Sequence, residues 1–334
     1  MSFIKVDQLC KTFKVATHKR GFVGAIRNLV SRQHKLVEAV QDVSFQIERG
    51  ELVGYLGPNG AGKSTTIKML TGILVPTSGQ ITVGDIVPWE QRNQHTRRIG
   101  VVFGQRTNLW WDLPVIESFD LLKYIYNVPA DRFQENLKKF ENLLDLGEFF
   151  NTPVRSLSLG QRMRADLAAA LLHDPEVVFL DEPTIGLDVV AKDRIRTFVK
   201  EVNQNAGVTF ILTTHDLGDV EKLCRRVMMI DHGKLLFDGP LRELQDRFGQ
   251  ERELEVDFAD DYEDVSIPGT TIIQQQGRQT TYRFSRQQMS ASQLIQTLVE
   301  KFQIIDLTVR EPDVENTIRH IYENKLLSQQ GEKN

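Results

Sequence analysis

Two kinds of hydrophobic pattern alternate along the chain. Short apolar runs of strand length recur between longer stretches whose apolar residues return every three or four positions. Residues 4–7 read as a short strand, and residues 43–47 place Val43, Phe45 and Ile47 on one face. Leu52–Leu56 reads as a strand that runs through a glycine-rich turn into a helix over Lys63–Leu70. Residues 80–83 and 99–103 are further strands, followed by a mostly helical stretch over 116–150. The apolar run 177–180, which follows Asp174-Pro175, suits a strand buried on both faces, and 208–213 reads the same way. Residues 227–230 and 234–238 flank His232-Gly233 as a hairpin. Strands in alternation with helices predict an α/β fold with a parallel sheet covered on both sides.

The pattern is interrupted twice. Between the first two strands, residues 16–36 form an insertion that a hairpin does not need. Its Phe22, Ile26, Leu29 and Val30 fall at helical spacing among Lys19, Arg20, Arg27, Arg32 and Lys35. A basic amphipathic helix of this kind packs on its own domain or meets a membrane surface or membrane partner. The composition then changes near Gly249. Strands at 254–258, 271–275, 280–284 and 304–309, helices at 291–302 and 314–327 and an acidic loop at 260–264 predict a small α+β domain over 250–334. It carries no catalytic motif, and the polar residues 329–334 are an expected disordered end. A chain of 334 residues is long enough for one large domain, 1–248, and this smaller one.

The turn after the third strand carries the strongest chemical signal. Gly57-Pro58-Asn59-Gly60-Ala61-Gly62-Lys63-Ser64-Thr65 fills the phosphate-loop pattern G-x-x-x-x-G-K-[ST] between a strand and a helix. Glycines let the backbone wrap so that N–H groups face a phosphate, and the helix adds the positive end of its dipole. Lys63 is expected on the β- and γ-phosphates, and Ser64 on Mg²⁺. Asp181-Glu182 ends the apolar 177–180 run at the carboxyl edge of the sheet, where α/β folds bind ligands. There Asp181 suits the Mg²⁺ shell and Glu182 suits a general base for an attacking water.

A net charge of −4 argues against a nucleic-acid partner. Cys10 and Cys224 lie far apart in sequence, as in a reducing cytoplasm. No apolar run is long enough to span a bilayer, so membrane work is expected to come through a partner.

Leu157-Ser158-Leu159-Gly160-Gln161, ahead of a helix rich in Ala, Leu and Arg, resembles the signature motif of ATP-binding cassette (ABC) ATPases, usually Leu-Ser-Gly-Gly-Gln. The resemblance covers roughly residues 3–248. It implies the ABC form of the P-loop NTPase fold, with a mostly helical subdomain over 106–160. It also implies a head-to-tail dimer in which Ser158, Leu159, Gly160 and Gln161 of one copy face ATP held by the phosphate loop of the other. Leu159 departs from the usual glycine. Gln105 resembles the Q-loop glutamine, which senses Mg²⁺; Asp188, in Gly186-Leu187-Asp188, the D-loop aspartate; and His215 the switch histidine on the γ-phosphate. Phe13 stands where the family stacks an aromatic on adenine. The other six histidines form no ligand spacing.

Trp110 and Trp111 follow Gln105, in the region that in ABC transporters receives a membrane subunit; the other reading places them in the local core. With Ser158–Arg164, they resemble ATPases of bacterial exporters that work with separate type-two permeases. The resemblance therefore implies an ATP- and Mg²⁺-dependent ATPase at the cytoplasmic face of the inner membrane, energising export of an amphiphilic, drug-like or lipid-like compound. A mechanical regulator of a membrane partner and a soluble ABC ATPase of nucleic-acid or ribosome work are the alternatives. The latter usually carry paired cassettes or zinc clusters, and neither is seen here.

Overall fold

The computed structural model describes residues 2–16, 34–104, 106–214, 216–248, 251–285 and 288–310. The expected insertion helix and the last helix, 314–327, lie outside the described residues. The chain divides into two compact units, Met1–Asp238 and Gly239–Asn334.

In the first unit, β1 (Ser2–Ala16), β2 (His34–Glu48) and β4 (Ser78–Val83) form an antiparallel sheet in the order β2-β1-β4. The first two strands are far longer than the expected 4–7 and 43–47. Their pairing shifts register several times between Ser2 and Thr12, with positive φ at Gln8 and Asp42. Each shift resets which face a residue points to, so no period of two survives along the strand.

A second sheet has the order β5-β6-β7-β3-β8-β9, built from β3 (Leu52–Leu56), β5 (Ile99–Phe103), β6 (Val177–Asp181), β7 (Thr209–Thr214), β8 (Arg226–Asp231) and β9 (Lys234–Pro240). The pairs β3–β7, β3–β8, β5–β6 and β6–β7 are parallel, as the unbroken apolar runs predict. His232 and Gly233, both at positive φ, turn β8 into β9. One core joins the two sheets: Ile4, Leu9, Val43 and Ile47 pack with Tyr55, Phe179, Ile211 and Met228. Helix α1 (Lys63–Leu70) adds Ile67, Met69 and Leu70 to it. The short α2 (Arg92–Thr96), which the hydrophobic pattern did not signal, buries His95; its Nε2 lies 2.9 Å from the Leu70 carbonyl at the end of α1.

The helical stretch resolves into α3 (Val115–Tyr126), α4 (Ala130–Leu144) and α5 (Leu159–Leu171). Phe119, Phe133, Phe140 and Phe149 are buried in it. The sheet is completed by α6 (Val189–Ala206) and α7 (Leu217–Leu223). No helix among the described residues is long and apolar enough to cross a membrane.

The second unit begins with α8 (Leu241–Phe248) and holds a four-stranded antiparallel sheet, order β11-β12-β10-β13. The strands are β10 (Glu251–Phe258), β11 (Thr270–Gln276), β12 (Gln279–Ser285) and β13 (Ile304–Arg310). Helix α9 (Ala291–Lys301) packs Leu294 and Leu298 onto Leu254, Val256, Tyr282 and Phe284. Alternation along β10, with Leu254, Val256 and Phe258 buried, gives this sheet one apolar face.

Candidate phosphate-binding site

β3 lies between β7 and β8, so the loop at its end, Gly57 to Gly62, emerges from the middle of the sheet. Gly62 caps α1 with φ +110, and a Cβ there would sit 2.4 Å from the Ala39 carbonyl oxygen of β2. No other residue type fits that position. No side chain caps the helix, so its first N–H groups, which have no partner within the helix, are available to an anion. Lys63 is only 6% exposed, and its Nζ donates to the carbonyls of Gly57 (2.6 Å) and Pro58 (3.2 Å). Burial pulls its ammonium below the usual lysine range, opposed by the carboxylates of Glu182 and Asp181. The opposition locates Lys63 in the field of both acids.

Asp181 ends β6 opposite Thr213 of β7, which in turn pairs with Tyr55 of β3. Asp181 Oδ1 accepts from Ser64 Oγ at 3.3 Å and from Thr213 Oγ1 at 2.5 Å. Two of the expected Mg²⁺ residues are therefore brought together across the sheet. Glu182 follows in a left-handed conformation, φ 55. Gln105 and His215 lie outside the described residues. Phe13, half-buried on β1, pairs with Val37 two residues before the Ala39 that closes on Gly62, and the Lys11 ammonium lies 5.3 Å from its ring centre.

The signature residues build a different kind of site. Ser158 caps α5 and accepts from Gln161 N, while Gln161 Oε1 accepts from Ser158 N at 2.9 Å. This reciprocal box fixes the helix start. Leu159 is the first residue of the helix, where no positive φ is required. Its side chain turns toward the D-loop, with Cδ2 3.1 Å from where a Cβ on Gly186 would stand. Asp188 caps α6 by accepting from Ala191 N at 2.8 Å. Ser158, Gly160, Gln161, Asp188, Val190 and Arg194 line a cavity of about 590 Å³ whose walls contain no phosphate-loop residue.

Several polar residues were not singled out from the sequence. Asp166, buried on α5, accepts from Thr107 Oγ1 (2.8 Å) and Asn108 N (2.9 Å), tying α5 to the loop that leads to the tryptophans. Burial pushes its carboxyl up to about 6. Thr184 and Arg196 meet the fully buried Asp219. A single acid in a helix otherwise rich in Ala, Leu and Arg was the only available signal for Asp166, and nothing along the chain names its partners. Trp110 and Trp111 are 39% and 50% exposed, with Arg162 over the Trp111 ring. Among the described residues no cluster of three or more His, Cys, Asp or Glu could hold a metal.

Comparison with known proteins places this geometry. The family model described as ABC transporter matches residues 40–185. The ABC transporter ATP-binding protein NatA of Bacillus subtilis is 34% identical over 210 residues, 63% of this chain and 85% of NatA. The chain belongs to the ABC transporter ATPase family. The linearmycin resistance ATP-binding protein LnrL of the same organism is 35% identical, with 63% and 67% covered. The cholesterol transporter ABCA5 of Homo sapiens is 32% identical over 72% of this chain, which spans only 14% of that protein. The dimeric ATP-binding cassette MJ0796 in a post-hydrolysis state with ADP and Pi superposes with a TM-score of 0.60 at 26% identity, covering 72% and 99%. The ABC form of the P-loop fold follows, and the protein is an ATP-binding, ATP-hydrolysing subunit of the transporter class.

Proposed function

We propose that this cassette energises a bacterial export complex, moving an amphiphilic, drug-like or lipid-like compound through separate type-two permease subunits. The observations that carry the reading are the junction of phosphate loop and acidic strand end, Ser64 to Asp181, and, separately, an exposed tryptophan pair. The linearmycin resistance role in LnrL's name supports an export reading. In this reading Lys63 and the amides of residues 57–65 hold the triphosphate, and Phe13 stacks on the adenine. Glu182 is the general base. Ser64 and Asp181 offer hard oxygen atoms, which suit a Mg²⁺ ion that keeps several waters and takes its other ligands from phosphate. Gln105 joins that shell, and His215 meets the γ-phosphate.

A second copy of the chain supplies Ser158, Leu159, Gly160 and Gln161 head to tail, with Asp188 at the same seam. Trp110 and Trp111 meet the permease at the cytoplasmic face of the inner membrane. The domain over 250–334 is an accessory to the cassette over 1–248.

Co-expression with type-two permease subunits tests the assembly. The cassette is expected in the detergent-solubilised membrane complex. Trp110→Ala/Trp111→Ala should cut its recovery about tenfold while the isolated ATPase stays within about twofold of the parent. Unchanged recovery removes the tryptophans from the interface, and a parent chain that never enters the complex removes the export reading.

A further inference from the structure

Thr213 sits on the strand between the phosphate-loop strand and the acidic strand, paired with Tyr55 on one side and Asp181 on the other. Its side chain is fully buried. A threonine hydroxyl has one proton to give and lone pairs to receive with, so its partners fix it completely once both are taken. Here the proton goes to Asp181 Oδ1 at 2.5 Å. The hydroxyl oxygen accepts from Glu182 N at 3.2 Å, and that N–H also reaches the Thr213 carbonyl at 3.0 Å. One buried hydroxyl therefore touches both acids, and the carboxylate oxygen it holds also receives Ser64 Oγ.

Glu182 has a second peculiarity. Its φ of 55 is a left-handed conformation that costs a non-glycine residue about 1–3 kcal/mol and persists only where the surroundings over-determine it. Two contacts do so. The Glu182 N–H is anchored on Thr213, and Gly104 N donates to the Asp181 carbonyl at 2.8 Å. Gly104 closes so tightly that a Cβ on it would lie 2.1 Å from the Glu182 carbonyl oxygen. The turn that aims the Glu182 side chain is thus clamped from β7 on one side and from the end of β5 on the other.

We propose that Thr213 is a positioning residue for ATP hydrolysis: its hydroxyl orients the Asp181 carboxylate and holds the left-handed turn at Glu182. The inference rests on the reading that Asp181 and Glu182 act on ATP. A threonine that merely fills the strand would be replaced by valine without loss, because valine has the same shape and the same strand preference.

The test measures ATP hydrolysis by the purified full chain, with Mg²⁺ present, for Thr213→Val and Thr213→Ser. Thr213→Val should lower kcat about tenfold or more and leave KM for ATP within about threefold, because the phosphate loop is untouched. Affinity for ATP in EDTA should likewise stay within about twofold of the parent. Thr213→Ser, which keeps the hydroxyl and loses the methyl, should restore kcat to within about threefold. Should the valine variant not fold, Thr213→Ala carries the same expectation, with circular dichroism reporting its fold. A valine variant with unchanged kcat, or a serine variant as slow as valine, overturns the proposal. Glu182→Gln is assayed alongside. If it retains turnover, the underlying reading of Glu182 falls; if it loses turnover while Thr213→Val keeps it, only the role of Thr213 falls.

Discussion

Lys63 is buried with its ammonium resting on the carbonyls of Gly57 and Pro58, whereas Ser158 is exposed with its hydroxyl turned back on Gln161 of its own helix. Both groups are satisfied without a ligand, but by contacts of different range. The Lys63 side depends on β3, β6, β7 and α1 meeting, with Ser64, Asp181 and Thr213 in one hydrogen-bonded set. The Ser158 side depends on four consecutive residues and a helix start. A tertiary network in a buried setting is preorganised for its ligand. A local cap at the surface is a finished structure, and in the proposed reading a second copy would make it part of a site.

The largest effect that would break this contrast is at Lys63. Lys63→Ala removes the buried cation from the cradle and should weaken ATP binding at least about a hundredfold, about 2.7 kcal/mol. Fluorescent-nucleotide titration of the purified chain measures it. A loss under about fivefold would mean that the backbone cradle alone does the binding.

A smaller effect is expected on the helix that carries the signature. Asp166 is a buried acid whose carboxyl is pushed up to about 6 by burial, against hydrogen bonds from Asn108 and Thr107 and the charge of Arg162. The folded state thus holds this proton more tightly than the unfolded chain. Stability from this group is therefore full at low pH, falls as pH rises through the range from about 4 to about 6, and stays reduced above it, by up to about 3 kcal/mol. Both donors meet the same oxygen, Oδ1, so Asp166→Asn keeps them on its amide oxygen and removes the charge. Its new NH₂ lacks an assured partner, which offsets part of the gain. The variant should be more stable than the parent by about 1–2 kcal/mol at pH 8 and equal to it at pH 4. Thermal melts across that range decide; a variant that is less stable at pH 8 refutes the account.

The same division governs what could be read from the chain. Leu52–Leu56, Lys63–Leu70 and the nucleotide-loop pattern between them are legible because strand, loop and helix are contiguous. The fold class followed from apolar runs such as Val177–Asp181, whose burial on both faces is written in four successive residues. The bulged β1 and β2 were short-changed because register shifts erase alternation. Thr213 and Asp166 passed unnoticed because their meaning lies in partners 32 and 58–59 residues away. Leu159 departs from the glycine usual in its motif. At the first position of a helix it needs no special backbone, and it spends its side chain on the D-loop.

The smallest effect separates the cap from the site. Ser158→Ala removes an acceptor from Gln161 N at an exposed helix end, where water can replace it, so the cost should be about 0.5–1 kcal/mol. Melting should drop by about 1–4 °C in a unit of this size. ATP affinity of the isolated chain should not move, since the signature cavity has no phosphate-loop residue in its walls. Ser158→Asp sharpens the point, because aspartate caps a helix as well as serine does and restores the melting temperature. Its carboxylate would stand where the γ-phosphate of an opposing copy is proposed to dock, and two anions at that distance repel. A stable Ser158→Asp chain that binds ATP normally yet hydrolyses it at least about tenfold more slowly than Ser158→Ala would assign the loss to the ligand. Equal rates in the two variants would mean that Ser158 only starts its helix, and the second half of the site would have to be sought elsewhere.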